Sequence, residues 1–187
     1  MKSAPSESGP SMLTDCVELE ATIRESHGIV NAGNRWGVVA ALYIGSKRLE
    51  PMVAVPEIRA IAGRGIEGDR YCREQGTFSK KSPSNQVTLI EAEALKAAAE
   101  DYGLAIPPEE SRRNVLTCGM ALNHLVGREF RIGEVRLRGL RLCEPCSHLE
   151  KLCGKQMIKA LRHRGGLRAE VLNDGNIRVG DLITEAN

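Results

Sequence analysis

The chain has 187 residues, a formal net charge of +2 and 42% hydrophobic residues, whereas aromatic residues make up 3%. This length predicts one domain with a core of aliphatic side chains. The weak net charge and the scarcity of aromatic side chains argue against a nucleic-acid surface. No apolar run is long enough to span a bilayer, so we expect neither nucleic acid nor a membrane as a partner. Because the first residues lack the apolar segment of a secretory signal, we expect a cytoplasmic protein with mostly reduced cysteines.

Residues 1–36 predict an amino-terminal extension. Ser, Pro, Gly and Glu dominate residues 1–10, and such a composition buries little apolar surface, so this part is expected to be partly disordered. A short amphipathic stretch at 16–23 is interpreted as a segment that packs on the domain surface. The folded domain is expected to occupy residues 37–187.

From Gly37 onward, short apolar runs alternate with turn residues, a pattern typical of strands. Strands are predicted within 38–44, 51–62, 86–90, 112–117, 128–142, 167–172 and 176–183. The run at 128–142 predicts a hairpin that turns at Gly133-Glu134, and Asn173-Asp174-Gly175 predicts a turn that joins the last two strands.

Two segments favour helix. Residues 91–102 are rich in Ala, Glu, Leu and Lys and end at Gly103, whereas 149–161 is expected to break at Gly154. Strands do not alternate regularly with helices, which argues against a doubly wound sheet. The fold class predicted is therefore mainly β, a β-barrel with a few connecting helices.

Three of the six cysteines lie within 143–153. Cys143 and Cys146 form a C-x-x-C pair, while Cys153 shares a helical apolar pattern with its neighbours and is expected in the core. Thiolates beside cations ligate soft metals or attack electrophiles, so Cys146 and Cys143 are the candidate catalytic residues. Cys16, Cys72 and Cys118 have no partner spacing and are interpreted as structural.

Two further polar residues stand at unusual places. Asp69 follows a glycine-rich loop, where it can orient a basic group or close an Asx turn. Gln86 heads an apolar strand, so it is expected either at a pocket or at a sheet edge.

Seven segments together resemble the MOSC domain, the module named after the carboxy-terminal part of molybdenum-cofactor sulfurase. The chain is most similar in type to the short, free-standing bacterial members, and the resemblance covers about Gly37 to Ile183. The segments are GIEGDRY (65–71), SNQVTLIE (84–91), RRNVLT (112–117), LVGREFRIGEV (125–135), LCEPC (142–146), HRGGLRAEVL (163–172) and IRVGD (177–181).

The resemblance implies a β-barrel that binds the molybdenum cofactor, molybdopterin, and a cysteine that carries sulfur or ligates molybdenum. In the related amidoxime-reducing proteins the ligand is the second cysteine of such a segment, which corresponds to Cys146, with Cys143 as the alternate. The implied function is sulfur transfer or the molybdenum-dependent reduction of N-hydroxylated compounds. A cysteine desulfurase or a redox protein is the implied partner, and pyridoxal phosphate is expected only on a separate sulfurase.

The pterin cofactor ends in a phosphate, which requires cationic groups or backbone N–H donors. The candidate cofactor-binding residues are Arg64, Asp69, Gln86, Arg113, Asn114, His163, Arg164 and Gly165.

Other functions remain open at this point. Cys143 and Cys146, with His148 or Cys153, supply ligand types for a structural zinc or iron–sulfur site. The same pair is also compatible with a thiol–disulfide redox protein. A binding protein without chemistry is a further alternative, because a fold does not determine a function.

Overall fold

The computed structural model describes residues 36–76 and 82–186, together with Glu18, Ala21 and Thr22. Most of the predicted extension and of the amphipathic stretch at 16–23 therefore lies outside the described residues, as does the centre of the polar loop at 77–81. In the described part of the chain, no helix is both long and apolar enough to cross a membrane.

Residues 36–76 and 82–186 contain eleven strands, three α-helices and three short 3-10 turns. The strands are β1 (Trp36–Ile44), β2 (Val53–Val55), β3 (Glu57–Ile61), β4 (Gly65–Ile66), β5 (Val87–Glu91), β6 (Val115–Cys118), β7 (Glu129–Ile132), β8 (Val135–Leu142), β9 (Leu167–Val171), β10 (Gly175–Arg178) and β11 (Leu182–Glu185). The helices are α1 (Ala92–Tyr102), α2 (Ser147–Cys153) and α3 (Met157–Leu161), and the 3-10 turns are Pro83–Asn85, Pro108–Ser111 and Leu122–Leu125.

Seven strands close into a barrel in the order β1-β11-β7-β8-β9-β5-β6, and β6 returns to β1. β5 and β6 run parallel, because α1 carries the chain from the end of one strand back to the start of the next. β2 adds to the outside edge of β1, while β10, β3 and β4 form a separate small sheet. The predicted β-barrel with a few connecting helices is confirmed.

The hydrophobic core has two layers. The barrel interior is filled by alternating residues such as Phe130 and Ile132 on β7 and Val135 and Leu137 on β8, all fully buried. A second cluster lies outside the barrel, where the helices cover one wall. Because both faces of β6 are covered, its four residues are all buried, as expected for a strand beneath helices.

Asn173-Asp174-Gly175 joins β9 to β10, as predicted, but the two strands do not pair with each other. β9 pairs with β8 and β5, whereas β10 pairs with β3 in the other sheet. The Asn173 amide oxygen accepts from the Arg136 backbone N–H at 2.7 Å, and the Asp174 carboxylate accepts from the Ala62 N–H at 2.8 Å. These contacts direct the chain away from β9. The predicted strand at 176–183 also divides into β10 and β11, with Gly180 at a φ of +91° between them.

Candidate functional site

The loop 143–146 leaves β8 and leads directly into α2. The Cys143 side chain is buried, with 1% of its surface exposed, whereas Cys146 is exposed at the cap position before α2. The Cys146 carbonyl accepts from the Glu150 N–H at 3.1 Å, which begins the helix. The two thiols of the C-x-x-C pair therefore lie in different environments.

Two adjacent glycines let a neighbouring segment pass against this loop. A Cβ atom at Gly165 would lie 2.6 Å from the Cys143 carbonyl oxygen, and one at Gly166 would lie 1.9 Å from that of Leu89. The Gly166 carbonyl accepts from the Cys143 N–H at 2.7 Å, and Gly166 has a φ of +98°. Glycine is required at both positions because the backbones approach too closely for a side chain.

Arg113 is buried behind the same loop, with 7% of its surface exposed. Its guanidinium donates to three carbonyl oxygens, at 2.7 Å to Cys143, 2.8 Å to Ser111 and 2.9 Å to Gly165. Arg113 therefore connects three parts of the chain by hydrogen bonds. They are the loop 143–146, which we call the cysteine loop, the segment 163–166, which we call the glycine segment, and the residues that precede β6. Five N–H donors on a planar fork make this geometry possible for arginine.

A second buried network lies beside Arg113. The Asp69 carboxylate accepts from the backbone N–H groups of Gly45 at 3.2 Å and Tyr71 at 3.0 Å, and from the Asn114 amide at 3.2 Å. The Asn114 amide oxygen in turn accepts from the Thr88 hydroxyl at 2.8 Å. The sequence segments that contain Asp69, Asn114 and Thr88 are therefore joined through side chains.

These elements surround a cleft with an enclosed volume of about 60 Å³. Cys143, Cys146, Thr88 and His148 contribute to its lining, and we refer to it as the arginine cleft. Five guanidinium groups also line it, those of Arg48, Arg70, Arg112, Arg113 and Arg168.

Positive charge in the arginine cleft is only partly compensated. Burial, and next the neighbouring charge of Arg70, lower the pKa of Arg112, although arginine stays protonated at neutral pH. Arg168 donates through Nη1 to the Ser84 carbonyl at 3.0 Å and the Asn85 amide oxygen at 3.1 Å. Its Nε is buried and is left without a hydrogen-bond acceptor in this structure. A buried donor beside several cations is suited to an anion.

The Glu144 carboxylate also belongs to the cleft, but it is turned towards the glycine segment. It accepts from the His163 backbone N–H at 3.0 Å and lies 3.2 Å from His163 Nδ1. His163 has a φ of +62° and an exposed side chain, so this contact holds the outer end of the cysteine loop.

The structure brings some of the predicted site residues together and separates others. Cys143, Cys146 and Arg113 line the cleft, while Asp69, Asn114 and Gly165 support it from behind. The remaining predicted residues do not line the arginine cleft.

Each of those other residues has a different environment. Gln86 accepts from the Val171 N–H at 2.8 Å at the far end of β9. Arg164 forms an ion pair with Asp101 at 2.9 Å and lies 5.5 Å from the ring centre of Tyr102. Arg64 is exposed in the turn between β3 and β4.

Sequence reasoning missed four of the five arginines, as well as Thr88. Arg70 and Arg112 directly neighbour Asp69 and Arg113, which were predicted, so adjacency was an available signal. Arg168 stands between buried Leu167 and Ala169 on β9, and such an alternation places it on the outer face of the barrel. Nothing in the sequence marks Arg48.

The other cysteines in the described part of the chain do not add to a metal site. Within residues 36–76 and 82–186, no three His, Cys, Asp or Glu side chains come together as metal ligands, so the ligand set considered for zinc or an iron–sulfur cluster is not formed there. Cys143 and Cys146 are both free thiols. Cys153 packs against the outer hydrophobic cluster, as its pattern predicted, and Cys118 is disulfide-bonded.

Comparisons with known proteins agree with this architecture. YuaD from Bacillus subtilis is similar in structure, with a TM-score of 0.67, 20% sequence identity, and coverage of 79% of this chain and 94% of YuaD. YiiM from Geobacillus stearothermophilus has a TM-score of 0.62 at 13% identity, covering 81% of this chain and 75% of its own. For YiiM from Escherichia coli the TM-score is 0.60 at 18% identity, with 81% and 70% covered. At these identities the likeness shows the fold.

No curated protein matches the chain by sequence. The family model of the MOSC domain matches residues 77–184, which is more than half of the chain. The match includes the cysteine loop, the glycine segment and three of the five arginines of the cleft, Arg112, Arg113 and Arg168, together with Thr88 and Asn114. Arg48 and Arg70 precede the match. This protein belongs to the MOSC domain family.

Proposed function

We propose that the protein binds the phosphate-bearing pterin molybdenum cofactor at the arginine cleft and that Cys146 is its working thiol. The observation that carries this proposal is the position of an exposed thiol on a cleft lined by five arginines. Thiolate sulfur is a ligand for molybdenum and is also the form that accepts sulfur from a persulfide. Cys143 is buried, so it is proposed to support the loop.

The residues of the cleft fit the anionic end of such a cofactor. Guanidinium groups bind phosphate through charge-assisted hydrogen bonds, and the buried Nε of Arg168 is a donor that lacks an acceptor. A volume of about 60 Å³ is room for about two waters, so the enclosed part suits one anionic group rather than a whole pterin. Arg113 supplies positive charge while its carbonyl contacts hold the cysteine loop in place.

As a sulfur carrier, Cys146 would act through a balanced exchange. Its thiolate attacks the outer sulfur of a donor persulfide, a new S–S bond forms on Cys146, and the donor leaves as a thiolate. No net oxidation occurs in this step. The proposed donor is a cytoplasmic cysteine desulfurase, whose own pyridoxal phosphate would release the sulfur.

As a reductase of N-hydroxylated compounds, the protein would use the same thiol differently. The cofactor would supply the two-electron chemistry, and Cys146 would hold its metal. The exposed position of Cys146 leaves it accessible to the cofactor, and Glu144 and Arg113 restrain the loop on either side.

The proposal is tested on protein purified from cells that make the cofactor. We expect molybdenum and pterin to be retained by the unmodified protein, and a persulfide to appear at Cys146 after incubation with a cysteine desulfurase and L-cysteine. Cys146→Ser should abolish the persulfide or the reductase activity, whereas Cys153→Ser serves as the matched control. If neither molybdenum nor pterin is retained, and Cys146→Ser changes neither activity, the proposal fails.

A further inference from the structure

A second cavity, of about 370 Å³, lies beside α2 and is distinct from the arginine cleft. We refer to it as the α2 cavity, and its lining includes Leu49, Met52, Glu109, Arg112, Leu152 and Cys153. Its volume is within the range of sites for small molecules, about 300–1,000 Å³. By contrast, the enclosed part of the arginine cleft has a volume of only about 60 Å³.

One wall of the α2 cavity is apolar. Met52 is buried, and Leu152 extends from α2, while Leu49 at the mouth keeps 57% of its surface exposed. A ligand that covers Leu49 removes this apolar surface from water, which favours binding of a molecule with an apolar body.

The lining of the α2 cavity also includes an exposed acidic side chain, Glu109. Glu110 is paired with Lys155. Among the described residues, the Glu109 carboxylate has neither an ion pair nor a hydrogen bond, and its charge, second to burial, raises the pKa of Tyr43. An unpaired carboxylate at the mouth of an apolar cavity is complementary to a cation.

The two sites share a wall. Arg112 lines both of them, and its Nη1 is held by the Glu50 carbonyl at 2.7 Å. Met52 of the α2 cavity accepts through its sulfur from Arg70 of the arginine cleft at 3.0 Å. A cation in the α2 cavity is repelled by Arg112, so its charged end is expected at Glu109.

We propose that the α2 cavity binds a compact apolar molecule that carries a protonated nitrogen. The nitrogen contacts Glu109, and the apolar body lies against Leu49, Met52 and Leu152. Binding of such a molecule is independent of the cofactor, whereas its use as a substrate of the neighbouring cleft rests on the function proposed above.

Cys153 provides a local reporter because its thiol lines the α2 cavity, while Cys146 reports on the arginine cleft. Alkylation of both thiols is followed by site-resolved mass spectrometry in mildly alkaline buffer. Saturating phenethylamine should slow the labelling of Cys153 at least about fivefold and leave Cys146 unchanged. 2-Phenylethanol, of the same shape but uncharged, should protect Cys153 only at higher concentration, and 3-phenylpropionate should not protect it.

Two exposed substitutions test the assignment without disturbing the core. Glu109→Gln should weaken phenethylamine binding about fivefold, as expected for loss of one exposed ionic contact, and leave 2-phenylethanol unaffected. Glu100→Gln on α1 is the matched control. Leu49→Asn should weaken the amine and the alcohol alike.

The proposal is overturned if none of the three compounds protects Cys153, if all three protect it equally, or if Glu109→Gln behaves as Glu100→Gln does. Inorganic pyrophosphate, added separately, should protect Cys146 and not Cys153. Failure at Cys153 with protection at Cys146 would reject the α2 cavity alone, and the reverse result would count against the arginine cleft and leave the α2 cavity supported.

Discussion

Arginines occur in two contrasting settings in this molecule. On the outer wall of the barrel, Arg136 and Arg138 flank Glu129 at 2.8 Å each, and Arg138 also contacts Glu170 at 3.1 Å. We call this set the arginine–glutamate ladder. Its partners raise the pKa of Arg138, and the largest cause is the hydrogen bond that Arg138 donates to Glu129. Each cation there is matched by carboxylates.

In the arginine cleft the partners are mostly carbonyl oxygens. Arg113 has three of them, Arg112 contacts the Glu50 carbonyl, and Arg70 lies 3.4 Å from Asp69. The pKa of Arg112 is lowered, opposite to that of Arg138. The ladder therefore cancels its charge, whereas the cleft keeps positive charge available for an anion.

The largest effect is expected at Arg113. Arg113→Met should lower the free energy of unfolding by about 3–5 kcal/mol, because three buried carbonyl groups lose their donor. Arg136→Met on the ladder should cost less than about 1 kcal/mol, as for an exposed ion pair. Denaturant unfolding measures both, and equal losses would remove the contrast between the two settings.

A smaller loss is expected at Asp69. Asp69→Asn should destabilise the fold by about 2–3 kcal/mol, because the new amide group cannot accept the N–H bonds that the second carboxylate oxygen receives. Asp101→Asn, an exposed carboxylate paired with Arg164, is the control and should change stability little. If the two variants unfold at the same denaturant concentration, Asp69 does not organise the site.

The availability of positive charge is tested directly by anion binding. Arg168→Gln should weaken inorganic pyrophosphate binding roughly tenfold in calorimetry, because charge-assisted hydrogen bonds are lost. Arg138→Gln on the ladder should leave the affinity unchanged. A similar reduction in both variants would mean that the anion senses overall charge and not the cleft.

The smallest effect is expected within the ladder itself. Arg138, and next Arg136, lower the pKa of Glu129, so its stabilisation is present above the unfolded pKa of about 4.3 and is lost as pH falls through the folded pKa. Glu129→Gln should therefore lower the thermal midpoint slightly near neutral pH and not at all in strong acid. A loss that persists in acid would show that packing rather than charge is responsible.

Much of the fold could be predicted because the periodicity of hydrophobic residues and the positions of turn-forming residues are local properties of the chain. α1 ends at Gly103 in the left-handed conformation, and Gly154 separates α2 from α3, as the sequence indicated. The turn at 173–175 was also predicted. The sheet that β10 joins after this turn depends on the contacts that Asn173 and Asp174 make with residues far away in the sequence.

The site was predicted less completely. Arg113 and Asn114 were identified, yet most of the cleft arginines were not. The identity of a residue as arginine does not reveal the direction in which its side chain points after folding. Arg64 and Arg164 show the converse. Both are cations next to glycines in the sequence, and neither lines the arginine cleft.

Sequence patterns were enough to predict a mainly β domain, the order of the MOSC-like segments and a C-x-x-C pair at the end of a strand. These follow from alternation, glycine positions and residue spacing, which are properties of neighbouring residues. The burial of Cys143, the exposure of Cys146 and the convergence of five arginines beside them depend on contacts between distant parts of the chain. Barrel closure brings β5, β6, β8 and β9 together, and the distances between segments far apart in the chain follow from that closure.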